Sequence, residues 1–205
     1  MNPVRAVHDR LIRIPCWRRY QRRLSRRLKS AAGCPDAYGD LFNLARRTHP
    51  AAILDIGSFT GDTIVRFLDE LDIPVCGFEP TLQSFRALDR SLGHHPQVRL
   101  FNCALADRDG DETLFCNENP QTNSLLDNDT GNVSSFPEDT RRVDTLQVKV
   151  QKLDTWASLH LPKGNLIIKA DVQGAEGRLL DGGRETFRDR VMAIYAEAQI
   201  CPMYQ

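Results

Sequence analysis

Hydrophobic positions along this chain alternate between two spacings. The runs 52–56, 166–170 and 191–196 are apolar nearly throughout. Five or six such residues in a row match a strand covered on both faces by helices. Shorter apolar stretches predict further strands near 75–79, 98–102, 112–116 and 147–152, and the strand at 166 is expected to reach 171. Between them, apolar residues recur every three or four positions near 62–71, 81–91, 155–159 and 175–182, with another turn near 184–188. That spacing predicts helices. A short helix near 38–47 precedes the first strand. Strand and helix in alternation predict an α/β fold with an open, doubly wound sheet.

Two stretches break this rhythm. Residues 117–145 are rich in Asn, Asp, Thr, Ser and Gly, carry Pro120 and Pro137, and hold little that is apolar. A plain connection of that length is uncommon, so it reads as a lid over a site or as a hairpin excursion. Residues 16–30 place Trp17, Tyr20, Leu24 and Leu28 on one helical face, opposite most of the arginines. The expected organisation is a basic amphipathic arm and linker over 1–35, followed by one domain over 36–205.

The densest chemical signal lies at residues 53–62. An apolar strand carrying one carboxylate, Asp55, ends at Gly57; Ser58 follows, Gly61 comes four residues after Gly57, and Asp62 opens a helical pattern. A strand that turns through glycines into a helix is expected to leave backbone N–H groups facing a ligand. About twenty residues on, the strand 75–79 ends at Glu79, next to Pro80. A carboxylate there suits a ribose diol. The dinucleotide fingerprint Gly-x-Gly-x-x-Gly is absent; the spacing is Gly-x-x-x-Gly, between two carboxylates. Such a turn repels a pyrophosphate and suits a cation, and S-adenosylmethionine carries a sulfonium and an ammonium. The plain alternative is an ordinary strand-to-helix turn in which Asp55 caps the helix.

Charge changes the picture of the arm. Lys+Arg and Asp+Glu are both 27 in 205 residues. Residues 1–30 hold ten basic residues and one acid, which leaves 17 basic and 26 acidic residues in the remainder. The arm is compatible with packing on the domain or on a partner subunit, with peripheral contact at an anionic membrane, or with nucleic acid. The acidity of the remainder argues against a nucleic-acid substrate. No apolar run approaches the roughly twenty residues of a membrane span, and the N-terminus lacks the apolar stretch of a signal peptide. Six cysteines form no Cys-x-x-Cys pair, which fits a reduced cytoplasmic protein. No spacing compels a metal site, and none is expected.

The segments Leu54-Asp55-Ile56-Gly57-Ser58-Phe59-Thr60-Gly61-Asp62, Gly77-Phe78-Glu79-Pro80, Asn102-Cys103-Ala104-Leu105-Ala106-Asp107, Leu153-Asp154-Thr155-Trp156 and Ile168-Lys169-Ala170-Asp171-Val172-Gln173-Gly174-Ala175-Glu176 together resemble the FkbM family of S-adenosylmethionine-dependent methyltransferases. The resemblance covers about residues 50–200. It implies a class I, Rossmann-like methyltransferase sheet and O-methylation of a hydroxyl on a sugar or natural product. It also implies a place near the adenine for Ala104 and Asp107, although Asp107 is equally well read as a turn residue. A class I sheet ends with an antiparallel strand pair after strand five, and the chain stops at Gln205. That pair is therefore expected to be missing, which keeps open a non-catalytic cofactor-binding or interaction protein.

Methyl transfer to oxygen needs a base, because a protonated hydroxyl is a poor nucleophile. Asp171, at the carboxyl end of its strand, is the first candidate, and Glu176 and Glu197 follow. Lys169 projects to the same strand face as Asp171. It is read either as a substrate contact or as half of a structural ion pair.

Overall fold

A computed structural model describes residues 38–127, 141–161 and 163–197. The arginine-rich helix expected at 16–30 lies outside the described residues. The chain divides into compact units over Met1–Leu44 and Ala45–Gln205. In the first unit, Tyr38 stacks on Phe42 with ring centroids 6.1 Å apart. Helix α1 (Gly39–Thr48) leads into the second.

The second unit is built on β1 (Ala52–Ile56) and β7 (Leu166–Ala170), every residue of which is buried. They pair in parallel, Asp55 beside Lys169 and Ile56 beside Ala170. From β1 the chain runs through α2 (Asp62–Glu70), β2 (Val75–Phe78), α3 (Leu82–Leu92) and β3 (Val98–Phe101), moving outward on one side. It returns at β7 on the other side and continues through α5 (Glu176–Gly182) and α6 (Arg184–Asp189) to β8 (Val191–Ala196). The result is a five-stranded sheet of order β3-β2-β1-β7-β8 with every pairing parallel. The direction of winding reverses between β1 and β7, and in such sheets the crevice opens at the strands' carboxyl ends at that point.

Three strands expected from the pattern or missed by it stand apart. β4 (Ala104–Ala106), β5 (Gly110–Asn117) and β6 (Arg142–Lys152) form a second sheet of order β4-β6-β5. The apolar stretches 112–116 and 147–152 therefore lie beside the doubly wound sheet rather than in it. The reason is visible in β6, where only Val148 and Val150 are buried and their neighbours face outward. A strand wet on one face belongs to an antiparallel hairpin layer, and β5 and β6 pair antiparallel. The polar stretch 117–145 is partly this hairpin. Residues 118–127 fold back on it through a short 3₁₀ turn, Pro120–Thr122, and an antiparallel bridge between Phe115 and Ser124.

Two close approaches lock the layers. Gly182 of α5 lies so near β4 that a Cβ would sit 1.8 Å from the Ala106 carbonyl oxygen. Arg178 of α5 pairs with both Asp107 and Glu112 at 2.6 Å, holding both carboxyls below their ordinary range. Below the sheet, α4 (Leu153–His160) supplies Trp156, which is fully buried. Its ring meets Phe78 edge-on at 4.7 Å and Phe101 at 5.0 Å. Asp154, also of α4, accepts the N–H groups of Glu185 and Thr186 and so caps α6.

Truncating Trp156 removes the largest side chain of this core. Trp156→Ala is expected to cost about 3–5 kcal/mol of unfolding free energy. Trp156→Phe is expected to cost clearly less, because the indole Nε1 has no hydrogen-bond partner among the described residues. Urea denaturation of the three proteins, read by circular dichroism, checks the order.

Candidate functional site

A cavity of about 560 Å³ opens at the carboxyl ends of β1, β2 and β7, where the winding reverses. Its size is that of a small-molecule or cofactor site. The turn after β1 forms its floor. Gly57, Phe59 and Gly61 all have left-handed backbones, with φ of +80°, +48° and +92°. Gly57 has no alternative: a Cβ there would lie 2.0 Å from the Asp171 carbonyl oxygen. Asp171 N–H also donates to the Ile56 carbonyl at 2.9 Å, so the ends of β1 and β7 are backbone against backbone.

Four N–H groups of this turn are bonded inside the protein, which narrows the expectation that the turn's N–H groups face a ligand. Gly57 and Ser58 both donate to the Phe78 carbonyl, at 3.1 and 2.9 Å, and Gly61 donates to the Ser58 carbonyl. Phe59 donates to Glu79 Oε2 at 3.0 Å. Ser58 Oγ donates to the Asp55 carbonyl and accepts from Phe78 N–H. These bonds pin the turn to β2. Gly61 is also not a point of ligand approach. It precedes α2, and a Cβ there would meet Leu88 and Leu92 of α3 at 2.5 and 2.7 Å. Its smallness serves packing of α2 on α3, and Asp62, next in the chain, reaches the cavity.

Glu79 stands at the cavity edge, 6% exposed. One carboxylate oxygen accepts Phe59 N–H, and the other accepts Thr81 N–H at 2.8 Å. Burial raises its carboxyl above the ordinary range, and these two donors partly offset that. The Thr81 side chain bonds to the carboxylate as well, and of a carboxylate's four lone-pair sites this leaves room for a hydroxyl donor. Asn102 Nδ2 donates to the carbonyls of Glu79 and Pro80, fixing the strand end from β3's side. Pro80 and Ala104 line the same cavity, with Cys103 and Leu105 as apolar neighbours.

Asp55 is wholly buried and lies beneath the lining rather than in it. Its partner is Lys169, whose Nζ stands 3.2 Å from Asp55 Oδ1, 3.1 Å from the Gly57 carbonyl and 3.9 Å from Asp171 Oδ2. Burial pushes the Asp55 carboxyl up, and the Lys169 ammonium pulls it back. The ion-pair reading of Lys169 is therefore the one its geometry matches, although the ammonium also touches the cavity.

Asp171 and Glu197 line the cavity together. Glu176 does not. Its Oε1 accepts Val172 N–H at 3.3 Å, in the first turn of α5. Asp107 is likewise held away from the cavity lining by Arg178. The far wall, residues 119–125 beyond β5, falls in the polar stretch that reads as a lid or a hairpin excursion, but the sequence singles out none of its residues, nor Gln173 of the Asp171-Val172-Gln173 segment. A polar stretch of no regular period marks no individual residue.

The acidic and basic residues of the lining are Asp62, Glu79, Asp171 and Glu197 against Lys169. With acids in excess, the cavity suits a cationic or neutral ligand. The described residues hold no cluster of His, Cys, Asp and Glu arranged for a metal ion, and none of their helices is long and apolar enough to cross a membrane.

The family model described as "Methyltransferase FkbM domain" matches residues 55–202. The chain is also 28% identical over 160 residues to the 2-O-methyltransferase NoeI of Sinorhizobium fredii (strain NBRC 101917 / NGR234). That match takes in 75% of this chain and 65% of the relative's length.

The contact between Gly57 and Asp171 is the tightest in the site, and Gly57→Ala tests it. The variant is expected to lose more than about 1 kcal/mol of stability, together with ligand binding. Gly110→Ala is the control, because Gly110 has φ +140° but open space around it. Thermal unfolding should show the larger loss at Gly57.

Proposed function

Since the chain belongs to the FkbM methyltransferase family, we propose that its second unit binds S-adenosylmethionine and transfers the methyl group to a hydroxyl of a sugar or natural product. The observation that carries the reading is Glu79. It is a buried carboxylate at the end of β2, at the edge of a cavity whose lining is otherwise acid-rich. S-adenosylmethionine offers a ribose diol for that carboxylate and a cationic sulfonium and ammonium for the rest. Cys103, Ala104 and Leu105 form an apolar strip for the purine. The family and a relative named as a 2-O-methyltransferase support oxygen as the acceptor atom.

When bound, S-adenosylmethionine supplies an electrophilic methyl carbon. The cavity residues would hold the acceptor hydroxyl near that carbon, which replaces a chance encounter by a near-attack geometry. The methyl carbon would bond to oxygen as its bond to the sulfonium sulfur breaks, leaving a neutral thioether, and Asp171 would take the hydroxyl proton. Asp171 is in the cavity wall, at the end of a fully buried strand, with its Oδ2 3.9 Å from the Lys169 ammonium. Glu197, close by, is the second carboxylate able to take that proton. The polar wall at 119–125 faces the same cavity and offers amide and hydroxyl groups to a hydroxylated acceptor.

Two variants separate binding from chemistry. Glu79→Ala is expected to weaken S-adenosylhomocysteine at least tenfold in calorimetry, since the diol loses its acceptor; equal affinity would remove the assignment. For the chemical step, hydroxylated sugars and polyketide-like compounds are first screened with labelled S-adenosylmethionine. Asp171→Asn should then lower turnover by about two to four orders of magnitude while S-adenosylhomocysteine binding changes little. Undiminished turnover would move the base to Glu197.

A further inference from the structure

Gln173 occupies a costly position. It is not a glycine, yet its φ is +52°, and Gly174 beside it has φ +92°. A left-handed backbone at such a residue costs roughly 1–3 kcal/mol. It persists where surrounding contacts hold it and the side chain is useful. Both conditions are met here. Ser124, 1% exposed on the far wall, donates its Oγ hydrogen to the Gln173 carbonyl at 2.7 Å. Ser124 is itself fixed by two backbone bonds to Phe115 and accepts Leu126 N–H. The Gln173 side chain then turns to the cavity. Its Nε2 lies 2.6 Å from Asp171 Oδ1 and 3.4 Å from Glu197 Oε2. One amide nitrogen carries two hydrogens, and two carboxylates stand in front of them.

We propose that Gln173 is a positioning residue whose side-chain amide, set by the Ser124 anchor, bridges Asp171 and Glu197 and fixes the orientation of both carboxylates at the cavity. The catalytic part of this rests on the reading of Asp171 as the base. Two carboxylates within reach of one amide otherwise repel each other. The amide donates to both and orients them, since Asp171 Oδ1 is engaged and Oδ2 lies 3.9 Å from Lys169 Nζ. Among the described residues, the other charges around the pair are Lys169 on β7, Asp55 on β1 and Glu176 on α5. Burial, then the charges of Asp171 and Glu176, raise the Glu197 carboxyl, and the Gln173 amide opposes them.

The test compares the full chain with Gln173→Met, which keeps the size and loses the donor, and Gln173→Gly, which loses the donor and relieves the backbone. Carboxyl carbons of Asp171 and Glu197 are titrated by carbon-13 NMR. Removing a donor to the ionised form raises a carboxyl pKa, so both variants should titrate higher, by on the order of one pH unit for the pair. Gln173→Gly should melt no lower than wild type, which keeps the test alive should Gln173→Met fold poorly. With an acceptor in hand, the acid limb of the kcat profile should move to higher pH by the same amount. S-adenosylhomocysteine affinity should stay within about threefold. Unchanged titration of both carboxylates in both variants overturns the proposal. A shifted titration in the Gln173 variants, with full turnover by Asp171→Asn, would uphold the bridge and overturn only the base assignment.

Discussion

The site depends on one close contact, the backbone of Gly57 against the backbone of Asp171. β1 and β7 are neighbours only because the chain winds out through β2 and β3 and then returns on the opposite side. Their carboxyl ends meet where no helix crosses between them, so the crevice has to open there. A residue with a Cβ at position 57 would drive the two ends apart. With glycine, the Ile56 carbonyl and the Asp171 N–H close a hydrogen bond. Everything in the cavity is placed relative to that junction. The turn is pinned to Phe78 and Glu79 on one side, and Asp171, Val172 and Gln173 run out on the other.

Burying charge at this junction is costly, and the fold meets the cost with a chain of partners. Asp55 is wholly buried, and an isolated carboxylate there would be neutralised. Lys169 supplies the opposite charge at 3.2 Å, and the same ammonium reaches the Gly57 carbonyl and approaches Asp171. Such a pair is weak evidence for stability. Its stronger consequence is electrostatic. The Asp55 charge is answered within the protein, so the acids left in the cavity lining face whatever enters.

The second sheet explains why the cavity has a far wall. The β5–β6 hairpin stands beside the main sheet and is clamped to α5 by Arg178, through Asp107 and Glu112. Beyond β5 the chain bends back in a turn made rigid by its own side chains. Asn119 accepts Gln121 N–H, and Asn117 donates to the Thr122 carbonyl. Ser124 ties that turn to Gln173. Methyl transfer calls for an acceptor held still rather than for strong chemistry from the protein, and a wall bonded at both ends is suited to hold it.

The sequence by itself determined the parts written in local patterns. Buried strands 52–56 and 166–170 announced themselves as unbroken apolar runs, and β1 and β7 match those bounds. Gly57 and Glu79 were legible because a strand-ending glycine and a strand-ending acid each have few other reasons to be there. Tertiary structure decided the rest, for reasons no local pattern carries. Gly61 and Asp107 look like ligand residues in sequence, yet one is small for the sake of α3 and the other is taken by Arg178, 71 residues away. Glu176 and Glu197 were equal candidates on the chain. Only folding turned Glu176 back onto Val172 N–H and left Glu197 in the cavity. The second sheet, the wall at 119–125 and the Gln173 bridge depend on contacts between residues far apart in sequence. Their polar side chains have no period to read, and their meaning comes from the partner that folding brings within about 3 Å.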